Sequence, residues 1–400
     1  MRPMSLHLFS LLLHAYVGWR IAPDLGPAWV GVAFAGLLLG SALAMPFGLQ
    51  MRRSASTGPA GRWLGWVGLV AMGGFSSLFV LTALRDLLLI ALALLGFLAS
   101  GVVPIPAFAS LSARAVTGVA LLVTLWGFVN ARRTAAVVWV DVPVVDLPPA
   151  LDGFRIAQIS DIHVGPTIRR PYVEAIVAAV NGLDADLVAV TGDLVDGSVG
   201  ELAEHVAPLA GLRSREGTFF VTGNHEYYSG AAAWVGELRR LGLRVLMNEH
   251  VVLRRGGATI VVAGVTDYSA GHFDRAQASD PQRALAGSPP AAVRLLLAHQ
   301  PRSAEAAEEA GFDLQLSGHT HGGQFLPWNF LVRLQQPFTA GLKRWRRMWV
   351  YTSRGTGYWG PPKRFGAPSE ITLLRLVPAR RPVAEPARRA PSPAPAASGV

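Results

Sequence analysis

The 400-residue chain contains no cysteine. Disulfides, thiolate zinc sites and cysteine nucleophiles are excluded, and redox chemistry says nothing of the compartment. Charge is scarce: Asp, Glu, Lys and Arg make up 16% of the residues against 51% hydrophobic ones, which excludes a disordered or acidic tail-like protein. Acidic residues are missing altogether from 325–366, a stretch that holds eight Lys or Arg and ten aromatics. No internal repeat is evident, and no small-residue cleavage site follows the first apolar run, so a removed signal peptide is not expected.

What is present is unevenly spread. Residues 1–133 carry nine Arg and two Asp, and residues 378–400 four Arg and one Glu; together they account for the whole net charge of +10. The stretch between is neutral and makes a poor nucleic-acid binder, so the basic balance belongs to membrane flanks and a tail, and no nucleic-acid partner is expected. Residues 4–21, 28–49, 63–99 and 115–131 are apolar runs of membrane-spanning length, which predicts a multi-pass cell-membrane protein. The third run is long and contains Arg85-Asp86. It is either one helix that hides the pair inside a bundle or two helices that meet there. The absence of Gly and Pro around the pair favours four spans over five. With Arg52, Arg53 and Arg62 facing the cytoplasm, four spans leave the C-terminal part cytoplasmic and five put it outside.

Residues 134–153 read as a connector with a first strand. Downstream, strand-like and helix-like stretches alternate, which implies an α/β domain over 154–377. Strands are expected at 154–159, 187–190, 218–221, 293–298 and 314–316, and helices at 171–180, 201–212, 231–241 and 303–310. Residues 378–400, made of Pro, Ala, Ser and Arg, cannot bury a core and are expected to be disordered.

Five polar clusters follow the apolar runs: Asp161-Ile162-His163, Gly192-Asp193-Leu194-Val195-Asp196, Gly223-Asn224-His225-Glu226, the single His299, and Gly318-His319-Thr320-His321-Gly322-Gly323-Gln324. Loops at the carboxyl ends of strands in an open α/β sheet converge on one crevice, so these clusters should meet. Asp and His are ligands of first-row divalent metals, Asn offers a carbonyl oxygen, and several imidazoles argue against magnesium or calcium alone. A pair of such ions clamps a phosphoryl group and activates water as hydroxide. His205, His250, His272, Asp267 and Asp274 fit no cluster and are expected to be ordinary surface or loop residues. Gly322 and Gly323 should let the backbone turn tightly beside the site.

In this order and spacing the clusters resemble the calcineurin-like metallophosphoesterases over about 154–376. The resemblance implies a four-layer α/β sandwich, two mixed sheets flanked by helices, here preceded by a transmembrane bundle. It implies two divalent ions (Mn, Fe or Zn), with Asp161, His163 and His321 at the first, Asn224, His299 and His319 at the second, and Asp193 bridging. His225 would protonate the leaving oxygen or stabilise its charge, with Asp196 orienting it, and Glu226 receives no chemistry. Gly197 stands where the Ser/Thr protein phosphatases carry Arg, which argues against a phosphoprotein substrate. Ser353-Arg354-Gly355-x-Gly357 and Gly366-x-Pro368-x-Glu370-Ile371-Thr372 are similar to the C-terminal signature of bacterial membrane-linked members. Some of those are exported, and some hydrolyse a UDP-diacylglucosamine pyrophosphate bond.

The expected function is therefore membrane-anchored hydrolysis of a phosphodiester or pyrophosphate bond by metal-activated hydroxide, with a phosphate ester, in a lipid headgroup, as substrate. The alternatives are a soluble-substrate phosphodiesterase on a passive anchor, a phosphate-binding membrane protein without catalysis, and a transporter, for which residues 1–133 hold few polar side chains. Arg354 is a candidate substrate contact. Trp328, Arg333, Lys343, Arg344, Trp345, Arg346, Arg347 and Trp349 are a candidate membrane-docking surface, since basic charge beside Trp and Phe is the composition of an interfacial segment.

Overall fold

The computed structural model describes residues 3–51, 58–98 and 105–379. Arg52, Arg53 and the expected disordered tail from 380 onward lie outside the described residues.

Four helices come first: α1 (Pro3–Ile21), α2 (Ala28–Met51), α3 (Pro59–Leu98) and α4 (Ile105–Arg132). Within the last three, Ala28–Gln50, Trp63–Leu98 and Ile105–Arg132 are long and apolar enough to cross a membrane. Among the described residues three helices thus meet that length and composition, and the expected count of four is not confirmed; α1 has 19 residues, among them His7, His14 and Arg20. The long third run is one uninterrupted helix. Arg85 is buried in the bundle, where it donates to the carbonyls of Arg20 (2.9 Å) and Ala109 (2.9 Å) and to Ser112 Oγ (3.0 Å) and pairs with Asp24. Asp86 accepts from Tyr16 and Arg20, each at 2.8 Å. A charged pair inside an apolar bundle needs such partners, and here only Asp86 Oδ1 has no hydrogen bond among the described residues, lying 3.7 Å from Arg85 Nη1.

The remainder folds as two six-stranded mixed sheets. The strands are β1 (Ala136–Val144), β2 (Arg155–Ile159), β3 (Leu187–Val190), β4 (Thr218–Phe220), β5 (Arg244–Val245), β6 (Glu249–Arg255), β7 (Ala258–Gly264), β8 (Val293–Leu297), β9 (Leu314–Ser317), β10 (Gly341–Trp345), β11 (Met348–Thr352) and β12 (Glu370–Pro378). The first sheet has the order β1-β12-β2-β3-β4-β5 and the second β10-β11-β9-β8-β7-β6. Helices α5 (Arg170–Asn181), α6 (Val199–Val206), α7 (Asn224–Ser229), α8 (Ala231–Arg240), α9 (Pro281–Leu285), α10 (Ala304–Ala310) and α11 (Trp328–Val332) complete the chain.

The period of two along each strand divides the side chains between layers. Ile156, Leu187, Ala189, Leu295, Leu297, Leu314 and Leu316 fill the core between the sheets. Ala157, Val188 and Val190 face Val173, Ile176 and Val180 of α5 and Trp234 and Leu238 of α8. On the other side Leu296 and Ala298 meet Ala284 of α9 and Ala304 and Ala307 of α10. Strands buried on both faces read as continuous apolar runs, which is why they show in the sequence.

Strands β2, β3, β4 and β5 run parallel to one another, as do β7, β8, β9 and β11. The polar clusters therefore all leave the same end of the sandwich. β1 pairs in parallel with β12, which is antiparallel to β2, so Ala136 lies at that end too. The helix bundle thus abuts the end of the sandwich that carries the clusters.

Candidate metal centre

The five clusters converge. Ligand atoms of Asp161, His163 and His321 lie within 4.8 Å of one another, as do those of Asp193, His299 and His319 and those of His163, Asp196 and His225. Asp193 connects the first two groups: its Oδ2 is 3.1 Å from His299 Nε2 and 3.9 Å from His163 Nε2.

The donors fit a pair of cations. His163 Nε2 and His321 Nε2 face each other at 3.1 Å, and His299 Nε2 and His319 Nδ1 at 3.2 Å. Nitrogens about 2.0–2.1 Å from one cation lie roughly this far apart. Asn224 Oδ1 is buried without a hydrogen-bond partner among the described residues, an orphan that a cation would satisfy. Tautomers are set from behind. His299 Nδ1–H donates to the Thr191 carbonyl (2.7 Å) and His163 Nδ1–H to Asp196 Oδ1 (3.2 Å), which turns each Nε2 lone pair toward the cluster.

Burial, reinforced by His299, holds the His319 imidazole down at about 3. Burial and Arg364 keep His321 well below the ordinary imidazole range. Both rings are neutral, the state that binds a cation. Burial opposes ionisation of Asp193, but His299 and His225 hold its carboxyl well below the usual range. Against burial, Asp193 raises His299 well above its ordinary value, as expected where the surroundings favour positive charge.

The backbone is bent to make this convergence. Asp161, His163, Asp193, His319 and His321 all adopt left-handed φ between 51° and 69°. Such positions cost about 1–3 kcal/mol each and persist where surrounding contacts over-determine them. The glycines beside them are sterically required. A Cβ on Gly318 would lie 2.2 Å from Asp161 Oδ2, and one on Gly223 would lie 2.2 Å from Asp193 Oδ1.

The calcineurin-like phosphoesterase family pattern matches residues 154–323. A Bos taurus protein named as a transmembrane protein with metallophosphoesterase domain is 42% identical over 270 residues, covering 64% of this chain and 61% of the relative. Its Danio rerio namesake is 39% identical, with 65% and 62% covered. The chain thus spans about three fifths of the length of these two relatives. An Aquifex aeolicus protein named as an uncharacterized metallophosphoesterase is 33% identical, and here 84% of the relative is covered. The chain belongs to the calcineurin-like metallophosphoesterases.

In this metallophosphoesterase the catalytic-dyad candidates are also in place. His225 Nδ1 lies 2.5 Å from Asp196 Oδ1, and its Nε2 lies 4.0 Å from Asp193 Oδ2. The rings of Tyr228 and Trp359 stand 5.2 and 6.1 Å from the His225 ring. Glu226, to which the sequence assigned no chemistry, is fully buried and accepts the backbone N–H groups of Asp193 (3.0 Å), Leu194 (2.7 Å) and Gly223 (2.6 Å). It fastens the Asp193 loop to the Asn224 loop. Burial pushes its carboxyl up to about 7, while the N–H donors pull the other way.

Other expectations need correction. His205 is buried, 2.7 Å from an Arg169 nitrogen, and His250 is half-buried with Nδ1 2.8 Å from the Ala284 carbonyl. Asp267 is buried and accepts from Gln300 and Ser269 rather than lying in solvent. Arg354 is held by Glu370 at 2.6 Å, so its expected substrate contact would share the guanidinium with a buried carboxylate.

The eight residues expected to form one docking surface divide between two places. Trp328 and Arg333 lie on and just after α11, beside the bundle, where Trp328 Nε1–H donates to Ser76 Oγ of α3 at 3.0 Å. Lys343, Arg344, Trp345, Arg346, Arg347 and Trp349 form the β10–β11 hairpin. Trp349 Nε1–H donates to the Pro143 carbonyl, seven residues along β1 from Ala136, or roughly 23 Å at about 3.3 Å per residue. The hairpin tip is therefore at the opposite end of the sandwich from the bundle. There Arg346 pairs with Glu308 of α10 (3.2 Å), and Trp345 packs edge-on against Phe338. A basic composition that looked like one surface is partly edge-strand charge and core aromatics.

Proposed function

We propose that this chain is a multi-pass protein of the cell membrane that hydrolyses a phosphodiester or pyrophosphate bond in a lipid-linked or membrane-proximal substrate. The helical segment 1–133 is the anchor and 154–377 the catalytic domain. Asp161, His163 and His321 would hold one divalent cation, Asn224, His299 and His319 would hold a second, and Asp193 would serve both. The observation that carries the reading is the convergence of six of these side chains, Asp161, His163, Asp193, His299, His319 and His321, while Asn224 Oδ1 is buried without a hydrogen-bond partner among the described residues. When bound, such a pair of cations neutralises phosphate oxygens and supplies an activated water at neutral pH.

The chain's own groups do the rest. His225 is oriented by Asp196, so its Nε2 is presented to the leaving oxygen, to which it gives a proton or a hydrogen bond. Glu226 keeps the two loops in register, and so keeps Asp193 and His225 at a fixed separation. Leu326, Trp328, Phe330, Leu331 and Leu334 expose apolar surface next to α3, which supports a substrate presented by a bilayer.

A soluble substrate with a planar ring is the second reading. It is favoured by the exposed rings of Tyr228 and Trp359 beside His225 and of Phe273 against Tyr228. The test uses the full chain in lipid nanodiscs, loaded with Mn, Fe or Zn and offered a total lipid extract with mass detection of products. A chromogenic phosphodiester serves as the soluble arm. Hydrolysis in the lipid arm is expected. Turnover of the soluble diester alone would favour the second reading, and no turnover in either arm would sink both.

A further inference from the structure

Lys363 and Arg364 are consecutive, fully buried cations, and neither is a metal ligand or part of the dyad. Their side chains point in opposite directions. Lys363 enters the helix bundle: Nζ donates to the Gly73 carbonyl (2.8 Å) and Ser77 Oγ (2.5 Å) of α3 and lies 3.5 Å from Thr124 Oγ1 of α4. It also sits 5.0 Å from the centre of the Phe325 ring. Arg364 enters the metal centre: Nη1 donates to the His321 carbonyl (2.9 Å), Nε to the Gly357 carbonyl (3.1 Å), and Nη2 lies 3.1 Å from His321 Nδ1.

The main chain between them is pinned as well. The Arg364 N–H donates to the Gly127 carbonyl of α4 at 2.8 Å, and Asn130 Nδ2 donates back to the Arg364 carbonyl at 3.4 Å. The helices are cut to receive this segment. A Cβ on Gly127 would lie 2.7 Å from Lys363 Cγ, and one on Gly73 would lie 3.2 Å from Pro361 Cβ. An ammonium group in such a place is tolerated only because the helix carbonyl and hydroxyls receive it. Arg132, the last residue of α4, adds a neighbouring clasp by donating to the carbonyl of Thr167 (2.8 Å) and the Tyr358 hydroxyl (3.0 Å).

We propose that α3 and α4 are a structural part of the metal centre: through the segment Lys363-Arg364, and the bond from Arg364 to the His321 carbonyl, they hold in place the backbone that carries this ligand. This rests on the reading of His321 as a ligand. Lys363 and Arg364 are positioning residues, and the groove marked by Gly73, Ser77, Thr124 and Gly127 is the helix surface through which they act. The membrane segment then sets metal affinity at the position that His321 serves, and leaves the position served by His299 and His319 much less affected. Groups that orient metal ligands typically change affinity by about 10- to 100-fold when removed.

The test uses the full chain in nanodiscs, titrated with Co(II) and followed by visible absorption, which reports the ligand geometry at each ion. Gly127→Leu fills the groove; Ser77→Ala and Thr124→Val are milder variants that decide the matter if the first does not fold. The expected result is about 10-fold or greater weakening of one of two Co(II) binding steps, with altered absorption bands for that step and the other step preserved. Lys363→Met should behave like Gly127→Leu. Variants that bind two Co(II) with wild-type affinities and spectra overturn the proposal and leave the metal reading intact. Wild-type protein that binds no Co(II) overturns the metal reading itself, and the proposal falls with it.

Discussion

Oδ1 of Asp196 lies 2.5 Å from Nδ1 of His225, and the same oxygen lies 3.2 Å from Nδ1 of His163. One carboxylate oxygen thus orients both a candidate metal ligand and the candidate proton donor. His225→Asn should lower kcat on a phosphodiester by about 10²- to 10⁴-fold, the usual contribution of a positioned acid, without loss of metal. Asp196→Asn should lower kcat and also weaken metal binding, because it affects both rings. Steady-state kinetics with metal content measured on the same samples checks this. Equal effects of the two variants on metal content would count against the division of roles.

Asp193 and His319 should differ in stoichiometry. Asp193 lies between both ligand groups, so Asp193→Ala should empty both positions, whereas His319→Ala should leave one ion per chain. Elemental analysis of purified protein reads the result directly. Chelation of the wild type should lower its melting temperature, and added metal should restore it, since a ligand at 100 times its Kd stabilises the folded state by about 2.7 kcal/mol.

Glu226 accepts three buried backbone N–H groups. In Glu226→Gln at least one of those N–H groups faces an amide NH2 or loses the charged acceptor. Leaving a buried N–H without its acceptor costs about 1–3 kcal/mol, and the denaturation midpoint should fall accordingly, with weaker metal retention. An unchanged midpoint would show that Glu226 does not fasten the two loops.

Asp186 gives a pH prediction away from the metals. Burial opposes its ionisation, but the Arg155 N–H (2.8 Å), Arg215 (2.6 Å) and Arg255 (2.5 Å) hold its carboxyl below the usual range. The folded pKa is depressed, so its stabilising contribution is complete above the unfolded value of about 3.9 and disappears as pH falls through the folded value. Asp186→Asn should be less stable than wild type at neutral pH and converge with it in acid. Thermal melts across that range decide; a constant gap would refute the linkage.

Much of the sandwich was legible because its central strands are buried on both faces. The run at 187–190 reads as continuous apolar sequence and is β3 without adjustment. The edge strands β6 and β10 were not: Lys343 and Arg344 of β10 and Glu249, Arg254 and Arg255 of β6 face solvent and break any apolar pattern. The candidate ligands could be read because each cluster is local and its spacing is set by one loop. Glu226, Asp267, Lys363 and Arg364 could not be read. Whether a charged side chain is buried depends on its partners, and those of Lys363 are nearly 300 residues away, at Gly73 and Ser77. Composition also could not tell that 325–366 divides between opposite ends of one sheet, because that is fixed by the register of β11 on β9 and by the contact of Trp349 with Pro143.

Only Arg133, Thr134 and Ala135 stand between the last residue of α4 and the first of β1, and β1 is then paired along all nine of its residues with β12. So short a link leaves no leash on which the sandwich could tumble. With Lys363 and the Arg364 main chain also bonded to α3 and α4, the helices and the crevice are joined at two places.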